Sequence, residues 1–202
     1  ITIFAYKIGK RFIMALEIYL VRHGQTEENA QNILQGHIPG HLSEEGIRQV
    51  EILRDKLCTI HFDALISSDL KRCADTAAIL NEPHHLPIEF DSHLRERDWG
   101  PFTGMDILKA RTLIDNRAES MDSMAERATC FLKRICQEYD GKRLLVVSHG
   151  LICRVIQACY YQTSYRDIPR MDNAECRQIT LNTPWQPAIN KQKNEESGAT
   201  AD

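Results

Sequence analysis

The sequence has little that would place it in a membrane or on a nucleic acid. No stretch approaches the roughly 18 consecutive apolar residues that a transmembrane helix requires. Positive charge is not in surplus either, because 25 Lys and Arg residues stand against 28 Asp and Glu residues, for a net charge of −3. We therefore expect neither a membrane protein nor a globally basic nucleic-acid-binding protein, although a local cationic pocket is compatible with this balance.

The seven cysteines lack the spacing of a structural or catalytic cysteine site. Their number is odd and no pair is spaced C-x-x-C, which argues against a disulfide framework or a zinc ribbon and favours a reducing cytoplasm. None has an Arg six positions later, as a cysteine phosphatase requires. The motifs of a nucleotide P-loop and of a dinucleotide-binding fold are also absent from the sequence, which excludes two other kinds of phosphate site.

The length predicts a single domain, because 202 residues correspond to one unit at roughly 100–200 residues per domain. We assign residues 14–183 to this domain. Residues 1–13 are interrupted by basic side chains and make a poor secretory signal. Because Met14 lies just before the first predicted strand, we expect residues 1–13 to be an N-terminal extension outside the fold. Residues 184–202 are polar with scattered prolines, which predicts a flexible tail.

Within this domain, short apolar runs alternate with longer helical patterns. The runs at 18–21, 64–66 and 144–147 are apolar throughout, as expected for strands covered on both faces. One helix is predicted after an N-cap at Ser43, and a second over about 122–139. The alternation favours an α/β fold, with helices on both sides of a parallel or mostly parallel sheet, over an α+β arrangement.

Each predicted strand ends in a polar cluster that leads into a helix. Together the three clusters contribute Arg22 and His23, then Arg72, then His149. In an open α/β sheet, ligands collect beyond the carboxyl ends of the strands, where helix N-termini also favour phosphate. Two arginines and two histidines therefore fall where an anion would bind, and we predict a phosphate pocket.

Four motifs occur in an order typical of one protein family. The stretches LVRHGQTEEN, ISSDLKRCADTA, LRERDWGPFTG and VVSHG resemble the signatures of the histidine phosphatase (phosphoglycerate mutase-like) superfamily, in the branch with RHG and HG motifs. The resemblance extends from about residue 17 to residue 181. It implies a three-layer αβα sandwich with a mostly parallel central sheet.

The resemblance also implies roles for the clustered residues. His23 would be the nucleophile that carries the phosphoryl group, since an imidazole attacks through an unprotonated nitrogen and is available near neutral pH. Arg22 and Arg72 would grip the phosphoryl oxygens, because guanidinium stays charged and binds in a bidentate fork. His149 would donate to the same oxygens and balance the charge that shifts during transfer.

The resemblance assigns proton transfer to a carboxylate in the third motif. Glu96 matches the acid/base position of the family, a role worth roughly 10²–10⁴ in rate. Asp98 is the competing carboxylate nearby. A structural alternative for Glu96 is an ion pair with Arg95 or Arg97.

Four further residues are expected around the bound phosphate. Asn29 would add a neutral donor, and Gln25, Thr26 and Gly150 would help to shape the pocket. For Asn29 and Gln25, the alternative is that they only cap the helix after the RHG motif.

We expect neither a metal nor a cofactor, because a dense cationic pocket can stabilise a transferring phosphoryl group. His37 and His41 have the spacing of metal ligands on a helix, but the Pro and Gly between them predict a loop. This loop also departs from the Gly-Trp-x-Asp that relatives often have here. The loop borders the pocket in the family, so the substrate is left open here and is not taken from relatives.

The function that we expect is hydrolysis of small phosphomonoesters in the cytoplasm through a phosphohistidine. Cofactor-dependent mutases of the family carry a long insertion that encloses the substrate, whereas the segment from Glu96 to His149 is short. A phosphoglycerate mutase and a non-catalytic phosphate-binding scaffold are the alternatives. The expected partner is a small phosphorylated metabolite, and a homodimer stays open.

Overall fold

The central element of the fold is a five-stranded sheet. The computed structural model describes residues 6–8, 11–13, 15–182 and 185. Two short strands, β1 (Tyr6–Ile8) and β2 (Arg11–Ile13), pair with each other antiparallel ahead of that sheet. The strands of the main sheet are β3 (Ala15–Arg22), β4 (Ala64–Ser67), β5 (Ile88–Phe90), β6 (Arg143–Ser148) and β7 (Cys176–Asn182).

The main sheet has the strand order β5-β4-β6-β3-β7. Strands β3 and β4 lie on either side of β6 and run parallel to it, and β5 runs parallel to β4. Strand β7 pairs antiparallel with β3 at one edge, with Ile179 opposite Ile18. The sheet is therefore mostly parallel, which confirms the predicted α/β class.

Helices connect the parallel strands, as the crossover between parallel neighbours requires. In the described part of the chain they are α1 (Glu27–Ala30), α2 (Glu44–Leu57), α3 (Lys71–Asn81), α4 (Ile107–Ala110), α5 (Met121–Glu138) and α6 (Gly150–Tyr161). Single 3₁₀ turns occur at Ser92–Leu94 and Gly100–Phe102. Helix α2 begins after the predicted N-cap, and the Ser43 side chain accepts a hydrogen bond from the Gly46 amide.

The two faces of the sheet bury separate apolar cores. Successive residues of a strand point to opposite faces. In β3, Ile18 and Leu20 pack with residues of α5 and α6, whereas Tyr19 and Val21 pack with residues of α2 and α3. Helices thus cover both faces, which gives the three-layer αβα sandwich that was predicted.

A third, smaller apolar cluster lies outside these two cores. Its buried members are Leu34, Phe102, Ala110 and Ala118, and Trp99 packs against them. Apart from Leu34, the cluster lies in residues 99–118, and two backbone hydrogen bonds attach this segment to the loop after α1. The Leu34 amide donates to the Met105 carbonyl, and the Gly104 amide donates to the Leu34 carbonyl. It forms one side of the cavity described below.

Some elements differ from the sequence prediction. Helix α5 begins and ends one residue earlier than predicted, and strands β5 and β7 were not among the three apolar runs. Over residues 178–182 of β7, exposed and buried side chains alternate, so no continuous apolar run marks this strand. Within the described residues, no helix has the length and apolar character needed to cross a membrane.

The two predicted terminal segments fall largely outside the described residues. Of the extension predicted at 1–13, the structure describes only the β1–β2 pair, and of the tail predicted at 184–202 only Trp185. The side chain of Trp185 packs against the core beside α5 and α6. The remaining domain boundaries stay predictions.

Candidate active site

The carboxyl ends of neighbouring strands meet at one edge of the sheet. Because Arg22 in β3 lies opposite Ser148 in β6, the residues that follow, His23 and His149, leave the sheet side by side. Their rings are in edge-to-face contact with centroids 5.2 Å apart. Helix α3, which follows β4, adds Arg72 to the same place. The structure therefore brings together the two histidines and two arginines that the motifs singled out.

The turn after His23 depends on close packing between two glycines. A Cβ atom on Gly24 would lie 2.7 Å from the carbonyl oxygen of Gly46 and 2.7 Å from Cγ2 of Val50. The Gly24 amide also donates to Thr76 Oγ1 at 3.2 Å. Since these distances leave no space for a side chain, only glycine lets this turn pack against the first turns of α2. The backbone at His23 is thereby fixed.

His23 contributes a neutral imidazole to the site. Its Nδ1 lies 2.7 Å from the carbonyl oxygen of Gly24, which can only accept, so Nδ1 carries the proton and Nε2 keeps its lone pair. Burial, then the charges of Arg72 and Arg22, hold the pKa of His23 well below its usual value. The ring is therefore unprotonated at Nε2 at neutral pH, as a nucleophile must be.

The guanidinium of Arg72 is held by neutral acceptors. Its Nε donates to His149 Nδ1 at 3.1 Å, its Nη1 to the Ile38 carbonyl at 2.7 Å, and its Nη2 to the Gly36 carbonyl at 2.8 Å. The side chain is 1% exposed, yet no carboxylate forms an ion pair with it among the residues described. Its positive charge is thus fixed in orientation and not neutralised.

Arg22 has a donor without a partner. Its Nη1 donates to the Met171 carbonyl at 2.6 Å, whereas its Nε is buried and unpaired among the described residues. Buried donors are nearly always satisfied in folded proteins, so an unpaired one beside a cavity indicates a place for a ligand acceptor. Gly150 faces this group, since a Cβ there would lie 3.3 Å from Arg22 Nε.

His149 is fully buried behind Arg72. Its Nδ1 accepts from Arg72 Nε, so in the neutral ring the proton lies on Nε2, which is 2.8 Å from Ser68 Oγ. Burial, followed by the charges of Arg72 and His23, lowers the pKa of His149 well below its usual value. The resemblance implies direct donation to phosphoryl oxygens. In the structure the ring contacts Arg72 Nε and Ser68 Oγ, and donation to a phosphoryl oxygen stays a prediction.

The two candidate carboxylates lie in different environments. Glu96 lines the cavity, and its Oε2 accepts from the Leu151 amide at 3.1 Å in the first turn of α6, where a carboxylate is favoured. Its Oε1 accepts from the Arg97 amide at 2.9 Å. Asp98 is exposed and turned toward the Gly100 amide, 2.8 Å away. The geometry therefore favours Glu96 over Asp98 as the acid/base.

Ion pairs between other residues anchor the loop that carries Glu96, and the Glu96 carboxylate takes no part in them. Arg95 pairs with Asp69. Arg127, from α5, pairs with Glu119 at 2.8 Å and donates to the carbonyls of Arg95 at 2.6 Å and of Glu96 at 3.3 Å. The structural alternative for Glu96, an ion pair with a neighbouring arginine, is thus not formed in the described part of the chain.

Two of the four residues expected around the phosphate line the cavity, namely Asn29 and Gly150. Asn29 Oδ1 accepts from the Thr26 amide and from Asn173 Nδ2, both at 3.3 Å. Because the amide oxygen is occupied in this way, the Nδ2 group of Asn29 is the donor left for a ligand. Asn29 therefore both caps α1 and borders the site.

Gln25 and Thr26 lie outside the cavity. Gln25 Oε1 accepts from Ser43 Oγ at 2.9 Å, which ties the turn to the start of α2. Thr26 is the N-cap of α1, and its Oγ1 accepts from the Asn29 amide at 3.1 Å. Both side chains help to hold the loop, and their contribution to a phosphate site stays a prediction.

The predicted loop at His37 and His41 is present. His37 Nε2 lies 2.8 Å from the carbonyl oxygen of Glu96, so this ring bonds the loop that carries Glu96. His41 is exposed, and its amide lies 3.4 Å from Glu28 Oε2. Among the described residues, no group of three or more His, Cys, Asp or Glu side chains is arranged to hold a metal ion.

The cavity has a volume of about 740 Å³, which is large enough for a small metabolite. Its lining includes Arg22, His23, Arg72 and Glu96. Apolar, aromatic and further arginine side chains complete the lining; they include Trp99, Ile107, Ile114, Met121, Leu151, Tyr165 and Met171. The cavity thus combines charged and polar side chains with apolar and aromatic ones.

The family model of the histidine phosphatase superfamily, branch 1, matches residues 18–189. The chain belongs to this superfamily. A broad-specificity phosphatase of Saccharomyces cerevisiae is 36% identical over 70% of this chain and 68% of the relative. A probable phosphoglycerate mutase of Salmonella arizonae is 34% identical over 67% of this chain and 70% of the relative. The solved mycobacterial glucosyl-3-phosphoglycerate phosphatase is 25% identical, with a TM-score of 0.76 over 82% of this chain and 90% of its own.

Several groups of the site were missed by reasoning from the sequence. The carbonyls that hold Arg72 belong to Gly36 and Ile38, and the carbonyl that holds Arg22 belongs to Met171. Backbone carbonyls carry no sequence signal, because every residue has one. Ser68 belongs to the motif ISSDLKRCADTA and directly follows β4. That position at a strand end was the sequence signal that could have predicted its contact with His149.

Proposed function

We propose that this histidine phosphatase hydrolyses small phosphomonoesters through a phosphohistidine formed at His23, without a metal ion or cofactor. The observation that carries the proposal is the neutral His23 beside two arginines that form no ion pair with any described residue, with the Glu96 carboxylate in the same cavity. A phosphoryl group carries close to two negative charges, and Arg22 and Arg72 supply two fixed positive ones.

The chemistry divides into two displacements at phosphorus. In the first, His23 Nε2 forms a bond to phosphorus while the bond to the ester oxygen breaks, and the leaving oxygen takes a proton from Glu96. In the second, a water molecule attacks phosphorus, gives its proton to Glu96, and the P–N bond breaks. Arg22 and Arg72 hold the equatorial oxygens in both steps, so most of the catalysis is positioning and charge stabilisation.

Hydrolysis is favoured over mutase activity by how little of the chain covers the site. The segment between Glu96 and His149 contains the 3₁₀ turn at Gly100–Phe102, the one-turn helix α4, the helix α5, strand β6 and their connections, and so no long insertion. A mutase has to retain a bisphosphorylated intermediate and exclude water, whereas an open cavity admits water to the phosphohistidine. The relative named a phosphatase and the relative named a probable mutase are similarly distant, so the test includes both reactions.

The test measures release of phosphate from p-nitrophenyl phosphate by the wild type and by His23→Ala, each with and without EDTA. We expect turnover that EDTA does not change and that His23→Ala abolishes. A second experiment quenches the wild type during turnover of ³²P-labelled substrate and looks for protein-bound label with the acid lability of a P–N bond. Arg48→Gln, on the exposed face of α2, is the control and should behave as the wild type.

Each contrary outcome overturns a named part of the proposal. Activity that EDTA removes contradicts the metal-free mechanism. Activity that persists in His23→Ala contradicts the nucleophile. Interconversion of 2- and 3-phosphoglycerate with a bisphosphoglycerate primer, faster than phosphate release, assigns a mutase. Phosphate binding without turnover of any ester indicates the scaffold alternative.

A further inference from the structure

Arg127 in α5 uses its whole guanidinium group to hold the loop that carries Glu96. Its Nη1 donates to the carbonyl oxygens of His93 at 2.7 Å and of Arg95 at 2.6 Å, and its Nη2 donates to that of Glu96 at 3.3 Å. Nε and Nη2 also donate to the Glu119 carboxylate, at 2.8 Å and 3.1 Å. Because a guanidinium has five N–H bonds, these five contacts use every donor of Arg127. The group therefore has no donor left for a ligand.

Glu119 holds the next two residues of the same loop. Its amide donates to the Asp98 carbonyl at 2.8 Å, and its Oε2 accepts from the Asp98 amide at 3.2 Å. Its carbonyl accepts from Arg97 Nε at 2.7 Å. Burial alone would raise the pKa of Glu119, but the hydrogen bond from Arg127 outweighs it and leaves the pKa below its usual value. The carboxylate is therefore charged at neutral pH, and the Arg127–Glu119 pair together contacts residues 93 and 95–98.

The position of the Glu96 carboxylate depends on this loop. Residues 95–99 form neither helix nor strand, so no ladder of backbone hydrogen bonds fixes them. The Glu96 carbonyl accepts instead from side chains, namely Arg127 Nη2 and His37 Nε2, the latter at 2.8 Å. The carboxylate itself contacts two amides, those of Arg97 and Leu151. Because one of these amides belongs to the loop, a shift of the backbone would move the carboxylate within the cavity.

The Arg127–Glu119 pair is also the most buried ion pair in the described part of the chain. The two side chains are 16% and 14% exposed, and no other ion pair there has both side chains below 20%. A buried ion pair gains little net stability over apolar residues of similar size, since both charges lose their water. The value of this pair lies chiefly in the geometry that it imposes on the loop.

We propose that Arg127 and Glu119 are positioning residues of the reaction, which fix the Glu96 loop so that the carboxylate can exchange a proton with the ester oxygen and the attacking water. The inference rests on the proposed acid/base role of Glu96. A displacement of about 1 Å in a reacting group can cost about a hundredfold in rate. Since Arg127 lies outside the cavity lining and bonds no atom of that carboxylate, its loss should slow the proton transfers and spare the attack by His23.

The kinetic test compares two substrates with Arg127→Gln. Glycerol 3-phosphate has an alkoxide leaving group that needs a proton, whereas p-nitrophenolate leaves without one. We expect the kcat for glycerol 3-phosphate to fall by about tenfold to hundredfold. The single-turnover release of p-nitrophenolate, which reports only the first displacement, should keep its wild-type rate. An equal fall in both measurements would indicate general damage to the site and overturns the inference.

Two further variants separate geometry from charge. Arg127→Lys keeps the positive charge, but a single ammonium group cannot bond three carbonyls and a carboxylate together, so it should restore little of the kcat for glycerol 3-phosphate. Full rescue by lysine would overturn the positioning role of the guanidinium. Glu119→Gln removes the charge of the partner and retains its shape. It should show the same selective loss as Arg127→Gln in a milder form, and it serves as the test if Arg127→Gln does not fold.

The matched control is Arg134→Gln, two turns further along α5. Arg134 also forms ion pairs from this helix, with Glu89, Asp91 and Glu138, but it contacts none of residues 93–98. Urea denaturation should show that this variant loses stability comparable to Arg127→Gln. Its rates with both substrates should nevertheless stay at the wild-type values. A selective loss for glycerol 3-phosphate in Arg134→Gln as well would overturn the specific role of Arg127.

A measurement by NMR does not depend on hydrolysis. The Leu151 amide donates to Glu96 Oε2, so its ¹⁵N–¹H resonance should shift in Glu96→Ala, which removes the acceptor. Arg127→Gln should move this resonance in the same direction, and Arg134→Gln should not. If no ester is hydrolysed, the proposed function fails, but this pattern of shifts still supports positioning of Glu96 by the pair. An unchanged Leu151 resonance in Arg127→Gln overturns the inference and leaves the phosphatase proposal intact.

Discussion

The two ends of the cavity are built from different kinds of structure. At the inner end, His23, Arg72 and His149 follow strand ends or begin helices and are at most 3% exposed. At the outer end, Arg166 and Arg170 are exposed on the loop between α6 and β7. The inner end is fixed by sheet hydrogen bonds and core packing, whereas the outer end is fixed by a few side-chain to backbone contacts.

This difference determines what substitutions at each end should change. Nucleophilic attack requires atoms held to within fractions of an ångström, which buried strand ends provide. Exposed side chains on a loop support few other contacts and tolerate change. We therefore expect substitutions at the inner end to affect catalysis and stability together, and those at the outer end to leave stability close to the wild-type value.

The largest effect should come from Glu96→Gln with an alkyl phosphate such as glycerol 3-phosphate. Loss of the proton donor should lower kcat by about 10²–10⁴-fold, because the leaving alkoxide is then unprotonated. p-Nitrophenolate needs no such proton, so stopped-flow measurements should show a burst of about one equivalent followed by slow hydrolysis. Asp98→Asn is the control and should retain wild-type rates. Similar losses in both variants would contradict the assignment.

A smaller but still large effect is expected from Gly24→Ala, which inserts a methyl group between His23 and α2. Overpacking of this kind costs about 1–3 kcal/mol of unfolding free energy, measured by urea denaturation. Combining it with Val50→Ala removes one of the two contacts at 2.7 Å, so the double variant should be more stable than the sum of the two single effects predicts. If the two changes in unfolding free energy are simply additive, the contact between a Cβ at position 24 and Val50 does not destabilise the variant.

The pH dependence of stability tests the buried histidines. Because His23 and His149 have pKa values well below 6.5 in the folded protein, only the unfolded chain binds their protons as the pH falls below about 6.5. Each histidine should therefore lower the unfolding free energy by about 1.4 kcal/mol per pH unit in that window. In His23→Asn the slope, measured by urea denaturation at a series of pH values below about 6.5, should fall by one such contribution. An unchanged slope would contradict a buried, neutral His23.

The smallest effect is expected on the solvent side of the outer end. Leu108 in α4 is 71% exposed and Leu113 is 52% exposed, so each buries little apolar surface. Leu108→Ser should change the unfolding free energy by no more than about 0.5 kcal/mol, and kcat/KM should stay at the wild-type value. A cooperative loss of stability would instead indicate that this segment is part of the inner core.

Prediction from the sequence worked where local pattern and chemistry agree. Fully apolar runs marked β3, β4 and β6, and Ser43 marked the start of α2. It failed at β7, where the exposed outward side chains of an edge strand interrupt the apolar pattern. It also did not indicate that Gln25 bonds Ser43 or that Thr26 caps α1, because closeness to His23 along the chain does not decide which way a side chain turns.

By itself the sequence determined which chemical groups are present and that they follow successive strands, because apolar periodicity and motif order are local properties. Only the tertiary structure decided which nitrogen of His23 is free, which carboxylate enters the cavity and which arginines form no ion pair with the residues described. Those outcomes depend on contacts between residues far apart in the chain, such as Arg22 with Met171 and Arg72 with His149. The physical reason is that hydrogen-bond partners and burial are set by packing, which no short stretch of sequence contains.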